Sequence, residues 1–425
     1  MTPVAVSLII VSRHRTASLL RTVKAVQLQD YPQLELIVVA DPDSVQAMRG
    51  LALPVKLVAF DQANISAARN AGLAVAAGGL VAFLDDDGVP EPTWITRLTA
   101  PFANPAVRVA TGFIRGRNGI SDQWRTCDVD QFGWDHLLSV DRHSVTLLAG
   151  TPQRTVKAQG TNCAFRRADL QALGGFDTAF QYYLDDADLS LRLAALGGLT
   201  AVVPMAVVQH GFAASALRRA DRVPTSLHQI GASVACFLRR HAPAVVSGQG
   251  GDDPRQRHRQ AQKARLIRHL VQGGLEPRDV PRLLGTFDAG WAAGVARDLS
   301  HLRPLDPAAD SFLPLDTRPR AGLVIAGRIW QRRELLRRAG VKALTGKIVT
   351  VICLSPTTWY HKHGFESGGF WVQQGGVYGR SVRDGPMIRL GAFRARIRAE
   401  KARIAATRPV DDPATGIVAG GSADE

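Results

Sequence analysis

The first ninety residues alternate short apolar runs with helical patterns, and this alternation is what most constrains the fold. The apolar runs have the length of strands and are Val4–Val11, Leu36–Val39, Val55–Val58 and Leu80–Leu84. Between them, Thr16–Leu28 and Ser66–Ala77 carry apolar residues at helical spacing. Strands separated by helices predict a parallel sheet, and such sheets bind ligands outside the carboxyl ends of their strands.

Polar residues follow these predicted strands at the points where they end. Ser12 follows the first strand, Asp41 the second, and Asp85-Asp86-Asp87 the fourth. Three carboxylates directly after a buried strand are costly unless a positive charge lies between them. In an extended segment Asp85 and Asp87 point the same way and Asp86 points the other way. This predicts a Mg²⁺ or Mn²⁺ site at Asp85 and Asp87, with an acidic turn or a helix N-cap as the alternative.

The second hundred residues add one long connection and one complete αβ unit. Residues 112–160 are rich in Gly, Trp and charge and are predicted to be irregular, as an active-site or acceptor loop would be. Thr161–Arg166 and Ala201–Val208 are predicted strands, and Leu184–Leu196 is a predicted helix ended by two glycines. His210 follows the last strand, where it is a candidate ligand or an ordinary loop residue.

Three aspartates open the helix predicted at Leu184–Leu196. Asp188 and Arg192 are spaced for an i,i+4 ion pair, and Asp185 is placed to cap the helix. Asp186 has no evident structural task and is the candidate general base. The alternative is that all three serve only as cap and surface charge.

Several classes of protein are disfavoured by what the sequence lacks. It has no GxGxxG after the first strand, no GxxxxGK[ST] and no evident GxSxG, so a dinucleotide-dependent dehydrogenase, a P-loop NTPase and an α/β-hydrolase are not expected. No apolar stretch reaches the roughly 18 residues of a membrane-spanning helix, and the first apolar run is predicted to be a strand rather than a signal peptide. The four cysteines are far apart, which favours a reducing cytosol over a disulfide framework.

The charge of the chain is concentrated in its second half. Residues 1–210 hold 18 Lys and Arg against 19 Asp and Glu, whereas residues 211–425 hold 34 against 18, so the second half carries the whole excess of +15. This asymmetry indicates an anionic partner such as a membrane surface, or alternatively an arginine-rich coding bias on solvated helices. Nucleic acid is the least favoured partner because no reading motif is present.

The second half is predicted to be mostly helical. The predicted helices are Ser226–Arg240, Gln262–Val271, Val280–Leu299, Arg328–Ala339 and Arg389–Ala406, and one strand is predicted at Ile348–Leu354. The basic helix Arg389–Ala406 has the composition of an interfacial membrane helix, with packing onto its own domain as the alternative. The expected division is a catalytic domain over 1–215, a helical region over 216–320, a segment of unassigned role over 321–410, and a disordered tail over 411–425.

Six segments occur in an order and spacing that resembles the family 2 glycosyltransferases of the GT-A fold. They are VSLIIVSRHR, LIVVADPDS, NISAARNAGLAVAAGGLVAFLDDD, GTNCAFRRADLQALGGFDTAF, DDADLSLRLAALG and VVQH, and together they cover residues 4–212. The resemblance implies an α/β GT-A domain, Rossmann-like, that uses a nucleotide-diphospho-sugar donor and a divalent metal. It also implies inverting transfer of the sugar to a hydroxyl group.

The resemblance also implies roles for individual residues. It places Asp186 as the base with Asp185 in support, and Asp85, Asp87 and His210 at the metal. The residues implied at the donor are Ser12, Asp41, Arg69, Asn70, Asp85 and Asp86. The residues implied on the acceptor side are Gly160, Thr161 and Asn162.

The sequence departs from the family pattern at four positions. Val11 stands where a proline is common and His14 where an asparagine is common. Ala40 stands where the family usually has the first of two adjacent aspartates. This weakens the case that Asp41 recognises the nucleobase of the donor. Asp185 replaces a glutamate, a chemically mild change.

These observations lead to one expected function and one alternative. The expected function is a cytoplasmic enzyme of cell-surface polysaccharide or glycolipid biosynthesis that acts on a saccharide or lipid-linked saccharide, with peripheral contact at the inner face of an anionic membrane. The alternative is a catalytically silent sugar-nucleotide-binding or scaffold protein of the same fold.

Overall fold

The structure is a computed structural model that describes residues 3–116, 118–211, 216–246, 253–299, 302–306 and 310–410. The tail predicted at 411–425 lies outside the described residues. Among the residues described, none of the helices has the length and apolar character needed to cross a bilayer.

The first 210 residues contain thirteen strands within the described part of the chain. In chain order they are β1 (Val6–Ser12), β2 (Leu34–Ala40), β3 (Val55–Ala59), β4 (Leu80–Asp85), β5 (Gly88–Pro90), β6 (Val107–Arg115), β7 (Asp122–Trp124), β8 (Cys127–Asp130), β9 (Asp135–Leu137), β10 (Thr146–Ala149), β11 (Arg154–Val156), β12 (Cys163–Arg166) and β13 (Leu199–His210). Ten of them form one sheet, of order β10-β13-β6-β12-β4-β1-β2-β3, with β5 paired to β13 and β7 paired to β6. The pairs β1–β2, β1–β4, β2–β3 and β6–β13 are parallel, and β12 is antiparallel to both its neighbours.

Six helices cover the two faces of this sheet. They are α1 (Thr16–Val26), α2 (Pro42–Arg49), α3 (Ile65–Ala74), α4 (Trp94–Thr99), α5 (Arg167–Ala172) and α6 (Asp185–Ala194). Because side chains alternate across a strand, β1 buries Leu8 and Ile10 in the core on one face and Ile9 in the core on the other. Burial on both faces explains why the parallel strands are continuous apolar runs. The predicted α/β fold class is therefore confirmed.

The segment 112–160 is more ordered than predicted. It contains the end of β6 and the strands β7 to β11, three of which form a second sheet of order β11-β8-β9. The prediction of an irregular segment is wrong here because these strands have only three or four residues, too few for alternation to show.

Four helices follow the large sheet: α7 (His228–His241), α8 (Pro243–Val246), α9 (Pro254–Val271) and α10 (Asp279–Ala296). Helices α7 and α10 cross at close range. A Cβ atom added to Gly231 would lie 2.2 Å from the Phe287 carbonyl oxygen, and one added to Gly290 would lie 1.9 Å from the His228 carbonyl oxygen. Only glycine allows the two backbones to approach this closely.

The residues after 320 form a small α/β unit. Its elements are β14 (Gly322–Arg328), α11 (Arg332–Leu344), β15 (Ile348–Ser355), β16 (Lys362–Glu366), β17 (Phe370–Gly376) and α12 (Phe393–Ile404), and the sheet order is β14-β15-β17-β16. Helix α11 packs on one face of the sheet and α12 on the other. The buried apolar residues of α12 are Ile397 and Ile404, each 2% exposed. The alternative that this helix packs onto its own domain is therefore the correct one, and its prediction as an interfacial helix is wrong.

A stretch before β14 runs in extended form along the first part of the chain. The Leu315 amide donates to the Leu34 carbonyl oxygen at 2.8 Å, and the Thr317 hydroxyl donates to the Tyr31 carbonyl oxygen at 2.6 Å. Leu315 is buried in the core of the large sheet. This part of the predicted helical region 216–320 is therefore not helical.

The small α/β unit is joined to the large sheet by a buried ion pair. Arg408 Nε and Nη2 donate to the two carboxylate oxygens of Glu91 at 2.6 and 2.8 Å, and neither side chain is more than 1% exposed. Burial alone would raise the pKa of Glu91, but the charge of Arg408 outweighs it and lowers that pKa. The Arg408 guanidinium also lies 3.9 Å from the centre of the Trp371 ring.

Candidate functional site

Two carboxylates and one imidazole meet at an edge of the large sheet. Asp85, Asp87 and His210, called the edge cluster below, each offer one ligand atom, and these atoms lie within 4.8 Å of one another. His210 Nε2 is 3.6 Å from Asp85 Oδ2 and 3.0 Å from Asp87 Oδ1. Carboxylate oxygens suit Mg²⁺ and Mn²⁺, and an imidazole nitrogen suits several first-row metals. The donor set therefore fits a divalent cation.

Strand pairing brings the three residues of the edge cluster together. Asp85 is the last residue of β4 and His210 is the last residue of β13. Between them, β5 turns back and pairs antiparallel with β13, so that Gly88 lies opposite His210. The Gly211 amide donates to the Asp87 carbonyl oxygen at 2.9 Å and fixes this corner. The sequence analysis missed β5 because three residues carry no periodicity.

Electrostatics within the edge cluster favour a positive charge. Burial by itself lowers the pKa of His210, but its hydrogen bonds and charge interactions with Asp85 and Asp87 outweigh burial and raise that pKa to about 9. Burial by itself raises the pKa of Asp85, but its hydrogen bond to His210 and the charges of Arg69 and His210 outweigh burial and lower that pKa. On the other side of the ring, His210 Nδ1 is 3.2 Å from Gln123 Oε1 of β7. Gln123 was not singled out from the sequence because only folding brings β7 beside β13.

Asp86 points away from the edge cluster, into the protein. It accepts a hydrogen bond from the Ser12 hydroxyl at 2.7 Å and forms an ion pair with Arg15. Burial raises the pKa of Asp86 to about 7, although Arg15 and Ser12 act against this. Asp86 and Ser12, both predicted at the donor, are thus partners of each other in the structure.

Asp41 lies at the end of β2, where it caps helix α2. Its carboxylate accepts from the Ser44 amide at 3.1 Å and from the His14 amide at 2.7 Å, and its side chain is 2% exposed. Helix α2 was missed from the sequence, although the Asp-Pro pair at its start is a typical N-cap and N1 combination. Asp41 therefore ties the loop after β1 to the loop after β2, which is where a nucleoside is predicted to bind.

Arg69 connects three of the predicted groups. Its guanidinium forms an ion pair with Asp185, donates to the Gly160 carbonyl oxygen at 3.3 Å, and lies 3.6 Å from Asp85 Oδ1. Asp185 was predicted to cap helix α6, but the capping position is Leu184, in a left-handed conformation with φ of 65°. The capping prediction is wrong because the Asp185 carboxylate turns to Arg69. Burial raises the pKa of Asp185 to about 6, against the charge of Arg69.

Asp186 is more open than its neighbour, with 20% of its side chain exposed against 8% for Asp185. Its Oδ1 accepts from the Ala187 amide at 2.8 Å and lies 4.0 Å from Lys157 Nζ. Lys157 also reaches Asp135 at 3.2 Å, and the charges of these two aspartates outweigh burial and raise the pKa of Lys157. No local pattern singles out Lys157, which lies in the segment predicted to be irregular. The predicted pair of Asp188 with Arg192 is confirmed at 2.8 Å.

The remaining predicted residues hold neighbouring segments together. The Asn162 amide accepts from Trp94 Nε1 at 2.8 Å and donates to the carbonyl oxygens of Phe113 and Ala206. The Thr161 hydroxyl accepts from the Asp85 amide at 3.3 Å. Asn70 of α3 exchanges two hydrogen bonds with the backbone of Phe176.

The comparison that decides the family uses the first half of the chain. A protein-family model described as "Glycosyltransferase like family 2" matches residues 3–223, which include every residue of the site described above. The chain belongs to this glycosyltransferase family. This confirms the predicted family and, with it, the predicted class of protein.

Two curated proteins show how far the similarity extends within this glycosyltransferase family. The glucosyl-dolichyl phosphate glucuronosyltransferase of Haloferax volcanii is 30% identical over 178 residues, which cover 39% of this chain and 53% of that protein. The pre-mycofactocin glycosyltransferase of Mycobacterium tuberculosis is 28% identical over 191 residues, which cover 43% of this chain and 37% of that protein. The matched part thus spans about half or less of each relative.

Among solved structures, this glycosyltransferase is similar to the mannosyltransferase PcManGT from Pyrobaculum calidifontis, a complex with GDP-Man and Mn²⁺. The TM-score is 0.42 at 18% identity, covering 70% of this chain and 88% of that one. A similarity of this size does not carry a substrate or a metal from that protein to this one.

A second group of possible ligands lies in the small α/β unit. His361, His363 and Glu400, called the inner cluster below, are buried and place one ligand atom each within 4.8 Å of one another. Arg396 Nε and Arg403 Nη2 lie 3.0 and 2.6 Å from the Glu400 carboxylate oxygens. Burial lowers the pKa of His361 to about 4, and the charges of Arg403 and Arg396 act in the same direction. The charge of Glu400 acts against this shift. The guanidinium groups already balance the single carboxylate, so this cluster does not favour a cation.

Proposed function

We propose that this protein moves a sugar from a nucleotide-diphospho-sugar donor to a hydroxyl group of a saccharide or lipid-linked saccharide, with inversion at the anomeric carbon. The observation that carries the proposal is the edge cluster, in which two carboxylates and an imidazole converge, together with the pairing of Arg69 with both Asp85 and Asp185, the residue next to Asp186. All of these groups lie within the residues that match the family.

In this proposal Asp85, Asp87 and His210 hold Mg²⁺ or Mn²⁺. The cation would neutralise the charge that develops on the leaving nucleoside diphosphate. Arg69 would hold Asp85 in position, since its guanidinium lies 3.6 Å from Asp85 Oδ1 and also forms an ion pair with Asp185. With Asp185 held by Arg69, the neighbouring Asp186 remains available for the chemistry on the acceptor.

Asp186 acts as the general base in the proposed reaction. It takes the proton from the acceptor hydroxyl as the hydroxyl oxygen attacks the anomeric carbon opposite the leaving group, which inverts the configuration. A positioned base contributes about 10²–10⁴-fold to a rate. Asp186 suits this role better than Asp185, because the Asp185 carboxylate is already paired with Arg69.

The other predicted residues shape the donor and acceptor regions. We propose that the loops held by Ser12, Asp41 and Asp86 bind the nucleoside of the donor. Arg69 and Asn70 would lie near its diphosphate. The turn of Gly160, Thr161 and Asn162 would face the acceptor. Its position is fixed by the bonds from Arg69 to Gly160 and from the Asp85 amide to Thr161.

We also propose the domain limits and the compartment. The catalytic domain covers residues 1–215 and is followed by the region 216–320 and by the segment 321–410, to which no role is assigned. The protein works in the cytoplasm, which agrees with four buried cysteines that form no disulfide.

The proposed function is tested by nucleotide binding. Thermal unfolding is measured with UDP, GDP, CDP or TDP, with Mn²⁺ or EDTA, for the wild type and for Asp85→Ala/Asp87→Ala. One nucleotide is expected to raise the midpoint only with Mn²⁺, and the double variant should lose the effect. At 100 times its dissociation constant a ligand adds about 2.7 kcal/mol to the free energy of unfolding.

The matched control is His361→Gln, which alters the inner cluster and should keep the response. A wild type that responds to no nucleotide would support the silent scaffold instead.

A further inference from the structure

Six large apolar side chains are exposed on the small α/β unit, in loops outside its helices and strands. They form what is called the apolar patch below and are Trp359, Tyr360, Val382, Met387, Ile388 and Leu390. Leu390 is 90% exposed, Trp359 66% and Met387 60%. Isolated exposed apolar residues are common, but a contiguous group of this size marks an interaction surface.

Backbone contacts show that the segments carrying the patch are neighbours. The Gly376 amide donates to the Trp359 carbonyl oxygen at 2.9 Å, which places residues 359–360 beside the end of β17. Gly379 forms an antiparallel bridge with Ile388, and the Arg389 amide donates to the Tyr378 carbonyl oxygen at 3.0 Å. The segment after β17 therefore lies between the two aromatic residues and the aliphatic ones.

The surroundings of the patch are strongly basic. Residues 380–399 contain six arginines and a single acid, Asp384. Arg383, Arg389 and Arg394 are exposed. Asp384 is paired with Arg142 at 2.9 Å, so the acid does not offset these three charges.

The patch is connected to the catalytic site through that acid. Asp384 also lies 3.7 Å from Arg125, which forms an ion pair with Asp122 of β7 at 3.1 Å. The next residue of β7, Gln123, contacts the His210 ring. The apolar patch thus stands beside the strand that borders the edge cluster.

We propose that the apolar patch docks on the surface of an anionic phospholipid bilayer. Trp and Tyr prefer the boundary between headgroups and acyl chains, and arginines near the surface are attracted to anionic lipids. An apolar insertion and a basic rim are the two signals that stable peripheral binding needs. The inference rests on the proposed function, since docking here would hold the catalytic edge next to a lipid-linked saccharide. The bilayer contact lies in loops and not in the predicted helix α12.

The test is co-sedimentation of the full chain with vesicles. Vesicles of phosphatidylcholine with about one quarter phosphatidylglycerol are compared with pure phosphatidylcholine. The wild type is expected to bind the anionic vesicles, and Met387→Ser/Ile388→Ser/Leu390→Ser should bind at least about tenfold more weakly. A matched control, Val271→Ser/Val341→Ser/Leu344→Ser, removes exposed apolar side chains elsewhere and should bind like the wild type. Arg389→Gln should weaken binding about fivefold, and only with anionic vesicles.

Three outcomes would overturn the docking proposal. They are a wild type that stays in the supernatant, equal losses in the patch and control variants, and a self-association of the wild type, measured by light scattering, that the patch variant abolishes. The last would show that a second copy covers the patch. The Mn²⁺-dependent response to nucleotide is measured on the same proteins. If it persists while vesicle binding fails, only the docking proposal falls, whereas its absence from the wild type is a failure of the proposed function.

Discussion

The edge cluster and the inner cluster are built from the same kinds of side chain, yet they differ in charge. In both, carboxylate and imidazole ligand atoms lie within 4.8 Å. In the edge cluster the pKa of the histidine is raised to about 9, and in the inner cluster the pKa of His361 is lowered to about 4.

The cause of this difference is the balance of neighbouring charges. The edge cluster sets two carboxylates against one imidazole, whereas the inner cluster sets one carboxylate against two imidazoles and the guanidinium groups of Arg396 and Arg403. The comparison teaches that ligand type and spacing do not define a cation site by themselves. The sum of the surrounding charges has to be negative as well.

The largest effect that would sharpen the comparison is expected at Asp186, the proposed general base. Asp186→Asn should lower the transfer rate by about 10²–10⁴-fold, because the amide cannot accept the proton of the acceptor hydroxyl. Turnover is measured with a labelled donor, and nucleotide binding with Mn²⁺ should remain. A variant with near wild-type turnover would contradict the role of Asp186.

The next effect concerns the ion pair of Glu91 and Arg408, which joins the large sheet to the small α/β unit. Glu91→Gln leaves Arg408 buried without a carboxylate, and the free energy of unfolding should fall by about 3–5 kcal/mol, measured by urea denaturation. The control is Glu334→Gln, which breaks an exposed pair with Arg337 and should hardly move the urea midpoint.

A second variant separates the ion pair from simple destabilisation. Glu91→Gln/Arg408→Met should lose less free energy of unfolding than the sum of its two single changes, because the second change removes the unpaired charge. Additive losses would show that the two side chains act independently.

A pH dependence is expected from the inner cluster. The pKa of His361 is about 4 in the folded protein and 6.5 ordinarily, so the unfolded chain binds more protons between these values. Stability should therefore fall as the pH drops from 6.5, by about 1.5 kcal/mol at pH 5 on this account. Urea unfolding of the wild type and of His361→Gln across this range checks it, since the variant should lack this part of the decline. Parallel curves would refute the assignment.

The last prediction is that a change in the inner cluster leaves nucleotide binding unaltered. His361→Gln should leave the Mn²⁺-dependent thermal response to nucleotide as it is in the wild type, since the inner cluster takes no part in holding the cation. The measurement is made with EDTA as the reference. A loss of the response in this variant would break the distinction between the clusters.

The sequence alone predicted the parts of this molecule that depend on local patterns. Strands β1, β2 and β4 are continuous apolar runs, and their polar ends were correctly expected at one edge of a sheet. The position of His210 after a strand was also visible. Its meeting with Asp85 and Asp87 depends on β5, whose three residues leave no periodicity to detect.

Other features were hidden because they depend on contacts between distant residues. Lys157 and Gln123 lie in a segment with no clear pattern, and only the folded chain brings them to Asp186 and His210. The two interpretations of the basic helix α12 could not be separated from the sequence for a related reason. Its apolar face could meet a membrane or a sheet. In the structure that face packs on β14 and β15, and although β15 was predicted as a strand, no local pattern shows that this helix packs against it.

The pairing of Glu91 with Arg408 has a consequence for how the molecule is made. The two residues are separated by 317 positions, so the chain must leave the ribosome as far as Arg408 before Glu91 gains its buried counter-charge. Contacts between such distant residues form late and slow the folding of a domain. Until then Glu91 has no counter-charge from Arg408, and the contact between the small α/β unit and the large sheet is incomplete.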